Sequence, residues 1–171
     1  MLANPESISF KAAAALGVEA LPPLQLGRAK ARNYAIMENW VSFGKVAGLC
    51  YFGPAPRSFT QIEEIVTAVR AATGWDIDLA EILRIGERAT NLARAFNIRR
   101  GFSRCDDTLP QRLFEPIENG PMAGTAISRP DFEQTLDELY GIKGWDAATT
   151  VPSRARLHEL SIEWVADLLG E

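Results

Sequence analysis

The stretch GWDIDLAEILRIGERATNLARAFNIRRGFSRCDDTLPQR, from Gly74 to Arg112, decides the fold. Apolar or small residues recur through its first half at intervals of three and four, the spacing that lines one face of an α-helix. These residues are Leu79, Ile82, Leu83, Gly86, Ala89, Ala93 and Phe96. The pattern predicts a long central helix whose inward face they form.

Both ends of this helix are marked by capping residues. Asp78 is expected to cap the first turn, and Glu81, three residues later, completes the sequence pattern of a capping box. Arg99 and Arg100 precede Gly101. Because cations suit the negative end of the helix dipole and Gly accepts the left-handed cap, the helix should end there.

The second half of the stretch has neither a helical nor a strand period. Asp106 and Asp107 lie between Arg104 and Arg112, and the segment contains a Pro. This composition is typical of an ordered loop held by local hydrogen bonds. We expect the two carboxylates to cap a turn and to pair with Arg104 or Arg112. An acid/base pair or a Mg²⁺ site remains the alternative for them.

Further helical segments are predicted on both sides, while alternating strand patterns are nearly absent. The class is therefore all-α, with residues 1–171 forming a single domain in which 1–25 is a poorly defined N-terminal segment and 26–171 is the helical body. The segments are a short helix at Phe10–Leu16, an amphipathic helix at Leu26–Phe43, a helix opened by a capping box at Thr60–Glu63 and closed by Gly74, a helix from Pro130 that stops between Gly141 and Gly144, and one or two short helices within Pro152–Leu169. Trp75 is expected to fold back on the helix that Gly74 closes.

Composition limits the classes of partner. The net charge of −4 argues against a nucleic-acid surface, which needs clustered Lys and Arg. No run reaches the roughly 18 apolar residues of a membrane helix. Residues 10–16 are similar to the apolar region of a signal peptide, but Glu6 and the absence of a basic start argue against export, so a cytoplasmic location is expected.

The chain has few cysteines and histidines, the residues that hold most zinc and iron–sulfur sites. With two cysteines, Cys50 and Cys105, a disulfide framework and a self-contained CxxC site are not expected. The single histidine, His158, excludes a multi-histidine metal site and is expected on a helix surface. Cys105, beside Arg104, could be a reactive thiol, although a passive cysteine is favoured. Cys50, between Gly-Leu and Tyr-Phe-Gly, is expected in a tight apolar pocket of the kind that surrounds iron–sulfur ligands, although on spacing alone a purely structural cysteine is favoured.

An ordered series of motifs resembles one known family. From about Leu26 to Leu160 the chain resembles the C-terminal part of the tungsten-containing aldehyde ferredoxin oxidoreductases. The matching motifs are Gly48-Leu49-Cys50, Ala72 to Asp76, Gly86-Glu-Arg88 with Asn91-Leu92, Phe96-Asn97, Arg99, Gly101-Phe102, Arg104, Asp106 to Pro110, Arg112 and Gly144-Trp-Asp146.

The resemblance implies a fold, an activity and cofactors. It implies an irregular helical C-terminal domain in an enzyme that oxidises aldehydes to carboxylic acids and passes electrons through a [4Fe–4S] cluster to ferredoxin. In the family, the Cys of an Asp-x-x-Gly-Leu-Cys motif is the last of four cluster ligands, and Cys50 matches it. Gly48 and Leu49 should then lie near the tungstopterin (or molybdopterin). The Asp-Asp-Thr-Leu-Pro stretch should shape the domain near the cofactor.

Two departures from the family pattern limit this interpretation. Lys45 stands where the cofactor motif has Asp, and a Lys offers no hydrogen-bond acceptor to the pterin. The family's first two domains, with three cluster cysteines and most of the pterin pocket, are not recognised in this chain. Both cofactors are therefore expected only where N-terminal catalytic domains or a subunit complete the site, with ferredoxin or a similar iron–sulfur acceptor as partner, and the isolated chain is predicted to be inactive. The alternative is a non-catalytic helical interaction module or a degenerate fragment of the family, which Lys45 favours.

Overall fold

The computed structural model describes residues 13–50, 53 and 60–170, and this part of the chain is helical. Within the described residues, six α-helices follow a 3₁₀ turn at Ala14–Leu16. They are α1 (Arg28–Val46), α2 (Ile62–Thr73), α3 (Leu79–Arg99), α4 (Arg129–Lys143), α5 (Arg154–Glu159) and α6 (Trp164–Leu169), with two more 3₁₀ turns between α3 and α4. No strand is present in these residues, and an isolated bridge joins Trp145 to Pro152. The all-α prediction is confirmed.

The central helix α3 begins and ends where its capping signals predict. The Asp78 carboxylate accepts a hydrogen bond from the Glu81 backbone N–H at 2.9 Å. The Glu81 carboxylate does not complete the box but binds Arg88 at 2.7 Å. At the other end the helix stops at Arg99, and Gly101 has a φ of 91°. Local chemistry thus sets both ends of the helix.

Helices α1 and α3 cross at Gly86. A Cβ atom on Gly86 would lie 1.8 Å from the Asn39 carbonyl oxygen and 3.0 Å from the Phe43 backbone nitrogen. Thr90 and Ser42, one turn further along, bring their hydroxyl oxygens to 3.2 Å. The hydrogen in place of a side chain at Gly86 is what lets the two backbones approach this closely.

Two apolar clusters lie at different levels of α3. The first joins the N-terminal segment, α1, α2 and the start of α3, and includes Leu16, Val18, Trp40, Phe43, Ile62, Ile65 and Ile82. The second packs α5 and α6 against Ala95, with Leu157, Leu160, Ile162, Val165 and Ala166. Because α3 contributes to both clusters, it holds the two halves of the fold together.

The inward face of α3 differs from the prediction in its last third. Phe96 is 65% exposed and Ala93 is also exposed, whereas Asn91, Arg94 and Ala95 are buried. The expected apolar stripe therefore turns away from the core after Gly86. The physical reason is that this part of α3 packs against a polar network, described below, and against the second apolar cluster.

Other predicted boundaries shift by a few residues. Helix α1 begins at Arg28 and extends to Val46, three residues past the predicted end. The capping box of α2 lies one residue later than expected, with Gln61 as the cap and Glu64 as its partner. Of the helix predicted at Phe10–Leu16, the first residues lie outside the described part, and 14–16 form the 3₁₀ turn that ends at Gly17.

Helix α4 stops at Gly144, at the far limit of its predicted range, and α5 and α6 confirm two short final helices. Trp75 follows the Gly74 cap and is 59% exposed, so it is not buried. Within residues 13–50, 53 and 60–170, no helix is both long enough and apolar enough to cross a membrane.

Candidate functional site

The predicted cofactor segment forms the end of helix α1. Gly48 adopts the left-handed conformation, with a φ of 71°. Its N–H donates to the Lys45 carbonyl at 3.2 Å, and the Leu49 N–H donates to the Gly44 carbonyl at 2.8 Å. These bonds close the helix in the manner of a glycine cap. The structure thus places Lys45, Gly48, Leu49 and Cys50 on one continuous turn.

Cys50 follows this cap directly, and its free thiol is exposed. The Gly53 N–H donates to the Cys50 carbonyl at 2.8 Å, and a Cβ on Gly53 would lie 3.2 Å from that carbonyl oxygen. The backbone around Cys50 is therefore tight, as predicted. The prediction that an apolar pocket encloses Cys50 is wrong, because its thiol lies at the surface.

The exposed thiol fits one part of an iron–sulfur site. A cysteine thiolate is the usual ligand of iron in such clusters, and a [4Fe–4S] cluster takes four of them. Among the residues that the structure describes, no group of three or more His, Cys, Asp or Glu side chains could hold a metal ion. Cys50 can thus act as a ligand only where other ligands come to this surface.

Lys45 lies in the last turn of α1 and is exposed. A cation at this place interacts favourably with the carbonyl end of the helix. Lys45 therefore has a local structural role at the end of α1.

An apolar groove adjoins this turn, and we call it the α1–α2 groove. It has a volume of about 480 Å³. Its walls are formed by Phe43, Val46, Ala47, Leu49, Ile65, Ala68, Val69, Ala72, Thr73, Trp75 and Ile85. Val46 and Trp75 are each 59% exposed. The groove and Cys50 belong to the same surface, because Leu49 lines the groove and precedes the cysteine.

A second cavity, of about 570 Å³ and lined by both apolar and charged residues, lies between α1, α3 and α4. At its base the Arg94 guanidinium donates two hydrogen bonds to the Asp107 carboxylate, at 3.0 and 2.7 Å. The Tyr140 hydroxyl donates to Asp107 as well, at 2.8 Å. Arg94 and Tyr140 are 7% and 1% exposed, whereas the Asp107 side chain is 28% exposed, so the guanidinium of the bidentate pair is buried and its carboxylate is partly open to solvent.

Trp145 extends the same network. Its indole N–H donates to the Asn91 side-chain oxygen at 2.8 Å. Its ring lies 5.1 Å from the Arg94 guanidinium carbon and 4.4 Å from the Lys143 amine, distances at which cation–π attraction acts. Lys143 also pairs with Glu38. The network therefore joins α1, α3, α4 and the loop after α3.

Burial acts on two ionisable groups beside this cavity. Burial lowers the pKa of Lys143, and the Glu38 carboxylate offsets part of that effect. Burial, with the nearby negative charges of Glu38 and Asp107, raises the pKa of Tyr34 to about 12. The Tyr34 hydroxyl donates a hydrogen bond to the Glu38 carboxylate at 3.4 Å.

The two adjacent carboxylates have separate structural roles. Asp106 accepts from the Ser103 N–H at 2.8 Å and caps a 3₁₀ turn, as predicted. The predicted pairing of Asp107 with Arg104 or Arg112 is wrong, because Asp107 binds Arg94. Arg104 instead binds Asp137 at 2.7 Å and Glu133 at 3.1 Å. Arg94 lies next to Ala93 of the predicted inward face of α3, and this position is the sequence feature that could have indicated a buried arginine with a carboxylate partner.

Two remaining candidates lie on the surface. His158 is exposed on α5, which confirms its predicted position. Cys105 is a free, exposed cysteine in the 3₁₀ turn that Asp106 caps. Neither residue lines the α1–α2 groove or the cavity between α1, α3 and α4.

Comparisons with known proteins agree on one family. The model for domains 2 and 3 of aldehyde ferredoxin oxidoreductase matches residues 3–162. The tungsten-containing aldehyde ferredoxin oxidoreductase of Pyrococcus abyssi is 29% identical over 145 residues, which make up 84% of this chain and 23% of that protein. The enzyme of the same name from Pyrococcus furiosus is 35% identical over 118 residues, 68% of this chain and 18% of that protein.

A relative named for a different activity matches as well. The aliphatic sulfonate oxidoreductase, WOR-like subunit, of Pyrococcus furiosus is 30% identical over 127 residues, 71% of this chain and 20% of that protein. The chain thus spans about a fifth to a quarter of the length of these relatives. Since the family model covers nearly all of the described residues, this chain belongs to the aldehyde ferredoxin oxidoreductase family.

Proposed function

We propose that this chain is the helical part of an oxidoreductase that converts an aldehyde to a carboxylic acid. The overall reaction consumes one aldehyde and one water, and releases one carboxylic acid, two protons and two electrons. The electrons pass through a [4Fe–4S] cluster to ferredoxin or a similar iron–sulfur acceptor. The family membership supports the reaction class, and the names of the relatives point to an aldehyde substrate and a ferredoxin acceptor.

One observation carries the part assigned to this chain. Cys50 presents an exposed thiol immediately after the glycine cap of α1, on a backbone held by Gly48 and Gly53. In the proposal its thiolate binds one iron of the cluster. Gly48 and Leu49 then lie beside the tungstopterin, and Lys45 faces the cofactor side of the same turn. A tungstopterin, when bound, accepts the electron pair from the substrate.

The proposal requires the remainder of the family protein. One thiolate does not hold a four-iron cluster, so neither cofactor is expected on the isolated chain. We treat residues 1–171 as a single helical domain, since α3 joins both apolar clusters. The cytoplasm is the proposed compartment, because two free, exposed cysteines suit a reducing environment.

The test is a serine substitution at each exposed cysteine. The chain is produced without oxygen together with the segment of the Pyrococcus furiosus relative that it does not match, and iron is measured in the purified complex. Cys50→Ser should lose most of the cluster iron and its visible absorbance, whereas Cys105→Ser should keep both. Unchanged iron in the Cys50→Ser complex would remove this residue from the site.

A second candidate function is a helical interaction module that has lost catalysis. Lys45 favours it, because a lysine cannot accept a hydrogen bond from the pterin. In the same complex, Lys45→Asp should raise the cofactor content if the site is degenerate. A fall in cofactor content would instead give Lys45 a role in an intact site and exclude this candidate.

A further inference from the structure

The α1–α2 groove has the character of an interface. We infer that it is the docking surface for the part of the family protein that brings the other cluster ligands to Cys50. The inference rests on the proposed function in this one respect, that Cys50 binds a cluster completed by ligands outside this chain.

The lining of the groove shows why an apolar surface suits it. Among the described residues that form its walls, none carries a charge, and Thr73 and Trp75 are the two with a polar side-chain group. The Thr73 hydroxyl already donates to the Val69 carbonyl at 2.7 Å. A docked apolar segment would therefore bury no charge of the walls and would cover Val46 and Trp75, and it must offer an acceptor to the Trp75 indole N–H or leave that group at the rim.

The position of the groove identifies the occupant. Leu49 forms part of its wall, and Cys50 is the next residue, so their Cα atoms are about 3.8 Å apart. A four-iron cluster at Cys50 needs three further thiolates within a few ångströms. The polypeptide that carries those thiolates must therefore contact the surface on which the groove opens.

The size of the relatives leaves enough chain to supply this occupant. The match covers 84% of this chain but 23% of the Pyrococcus abyssi enzyme, so most of the family protein lies outside the matched segment. We commit to that larger part as the occupant, with an apolar segment seated between α1 and α2. A second copy of this chain is the competing occupant, and the test separates the two.

Phe96 provides a matched control for the groove residues. It is as exposed as they are, at 65%, but lies on α3 eleven residues beyond Ile85 of the groove, about 16 Å along the helix axis. The Arg100 guanidinium carbon lies 6.0 Å from its ring centroid. Phe96 thus tests whether any exposed apolar side chain contributes to binding.

The experiment measures docking and iron separately. The binding partner is the unmatched segment of the Pyrococcus furiosus relative, and its dissociation constant for each variant is measured by sedimentation without oxygen. Val46→Asp and Trp75→Glu should each weaken binding at least about tenfold, because they place a charge in the buried contact. Phe96→Asp should stay within about twofold of the unsubstituted chain. The urea midpoint of each isolated variant shows that it folds.

Each result decides the inference. Unchanged binding by both groove variants overturns it, as does equal weakening by Phe96→Asp, self-association through the groove or the absence of any complex with the unsubstituted chain. Cys50→Ser separates the inference from the proposed function. If it loses iron while the groove variants bind normally, the docking inference fails and the ligand role stands. If it keeps iron while the groove variants fail to dock, the docking surface stands and the ligand role fails.

Discussion

Replacing Gly86 with Ala should destabilise the protein by forcing helices α1 and α3 apart. The new methyl carbon would lie 1.8 Å from the Asn39 carbonyl oxygen and 2.7 Å from its carbonyl carbon. Both atoms belong to the backbone of α1, so no side-chain rotation relieves the overlap. A tolerable carbon–oxygen contact of about 3.3 Å requires a local separation of about 1.5 Å at the crossing.

The magnitude follows from two opposing effects. Ala is favoured over Gly within a helix by up to about 1 kcal/mol. Forcing extra volume into a packed interior costs about 1–3 kcal/mol, and a backbone obstacle belongs at the upper end. The first apolar cluster also loses contacts, because Phe43 and Ile82 lie on either side of the crossing. We expect a net loss of about 2 kcal/mol in the free energy of unfolding.

Urea unfolding followed by circular dichroism measures this loss, and Gly141→Ala is the matched control. Gly141 lies within α4, is exposed, and has no other atom within 4 Å of a Cβ built on it. Gly141→Ala should therefore raise the free energy of unfolding by up to about 1 kcal/mol. A Gly86→Ala protein as stable as the unsubstituted chain, or two variants that shift stability in the same direction, would refute the proposed close crossing.

Three further predictions concern charged groups. Asp107→Ala leaves the buried Arg94 charge without its carboxylate partner and should lower the free energy of unfolding in urea by about 3 kcal/mol. Asp167→Ala breaks an exposed ion pair and should lower it by less than about 1 kcal/mol. Equal losses in the two variants would refute the difference in burial. Because burial lowers the Lys143 pKa from 10.5, the unfolded chain binds more protons, and stability should rise with pH toward 10.5 through this group. Lys143→Met should flatten that rise, and an unchanged slope would contradict the burial. Hydrogen bonds from Thr149 and Ala148 lower the Asp146 pKa from 3.8, so its stabilisation should be present above pH 3.8 and disappear as pH falls through the lowered pKa; Asp146→Asn should reduce that acid loss.

Helix ends were predictable from sequence because their signals are local. Asp78 caps α3 through a hydrogen bond to a residue three positions away, and Gly101 ends it through its own backbone conformation. The same reasoning placed the stops at Gly74 and Gly144, each of which has positive φ. None of these devices needs a partner from a distant part of the chain.

The polar network was not predictable for the opposite reason. Asp107 was matched with the arginines nearest in sequence, but its partner Arg94 lies one helix back, 13 residues away. Tyr140, 33 residues away, supplies the third hydrogen bond. Sequence proximity does not show which arginine the fold buries, and it is the buried Arg94 that takes Asp107 as its partner.

The two Gly-Trp-Asp segments show how tertiary context decides the outcome of one local pattern. Both glycines cap a helix, as the sequence predicted. Trp145 reaches Asn91 on α3 and lies against Arg94, whereas Trp75 remains 59% exposed beside the α1–α2 groove. The periodicity of a sequence predicts which face of a helix is buried. It does not predict which neighbouring helix or loop will contact the tryptophan that follows the helix.

The candidate site divides along the same line. Gly48 follows the end of helix α1 in the left-handed conformation, whereas this helix was predicted to end at Phe43. The roles proposed for Lys45 and Cys50 came from the family resemblance, because a lone cysteine carries little information without the ligands that would accompany it.

The central claim, that Cys50 binds a cluster shared with the rest of the family protein, is tested most directly in the native assembly. The polypeptide that carries this sequence is purified without oxygen by following its own peptides, and native mass, iron and tungsten are measured on the same fractions. We predict an assembly of several times the 18.8 kDa mass of this chain, with about four irons and one tungsten for each copy of the sequence. A metal-free species that runs alone at the mass of the chain would contradict the claim.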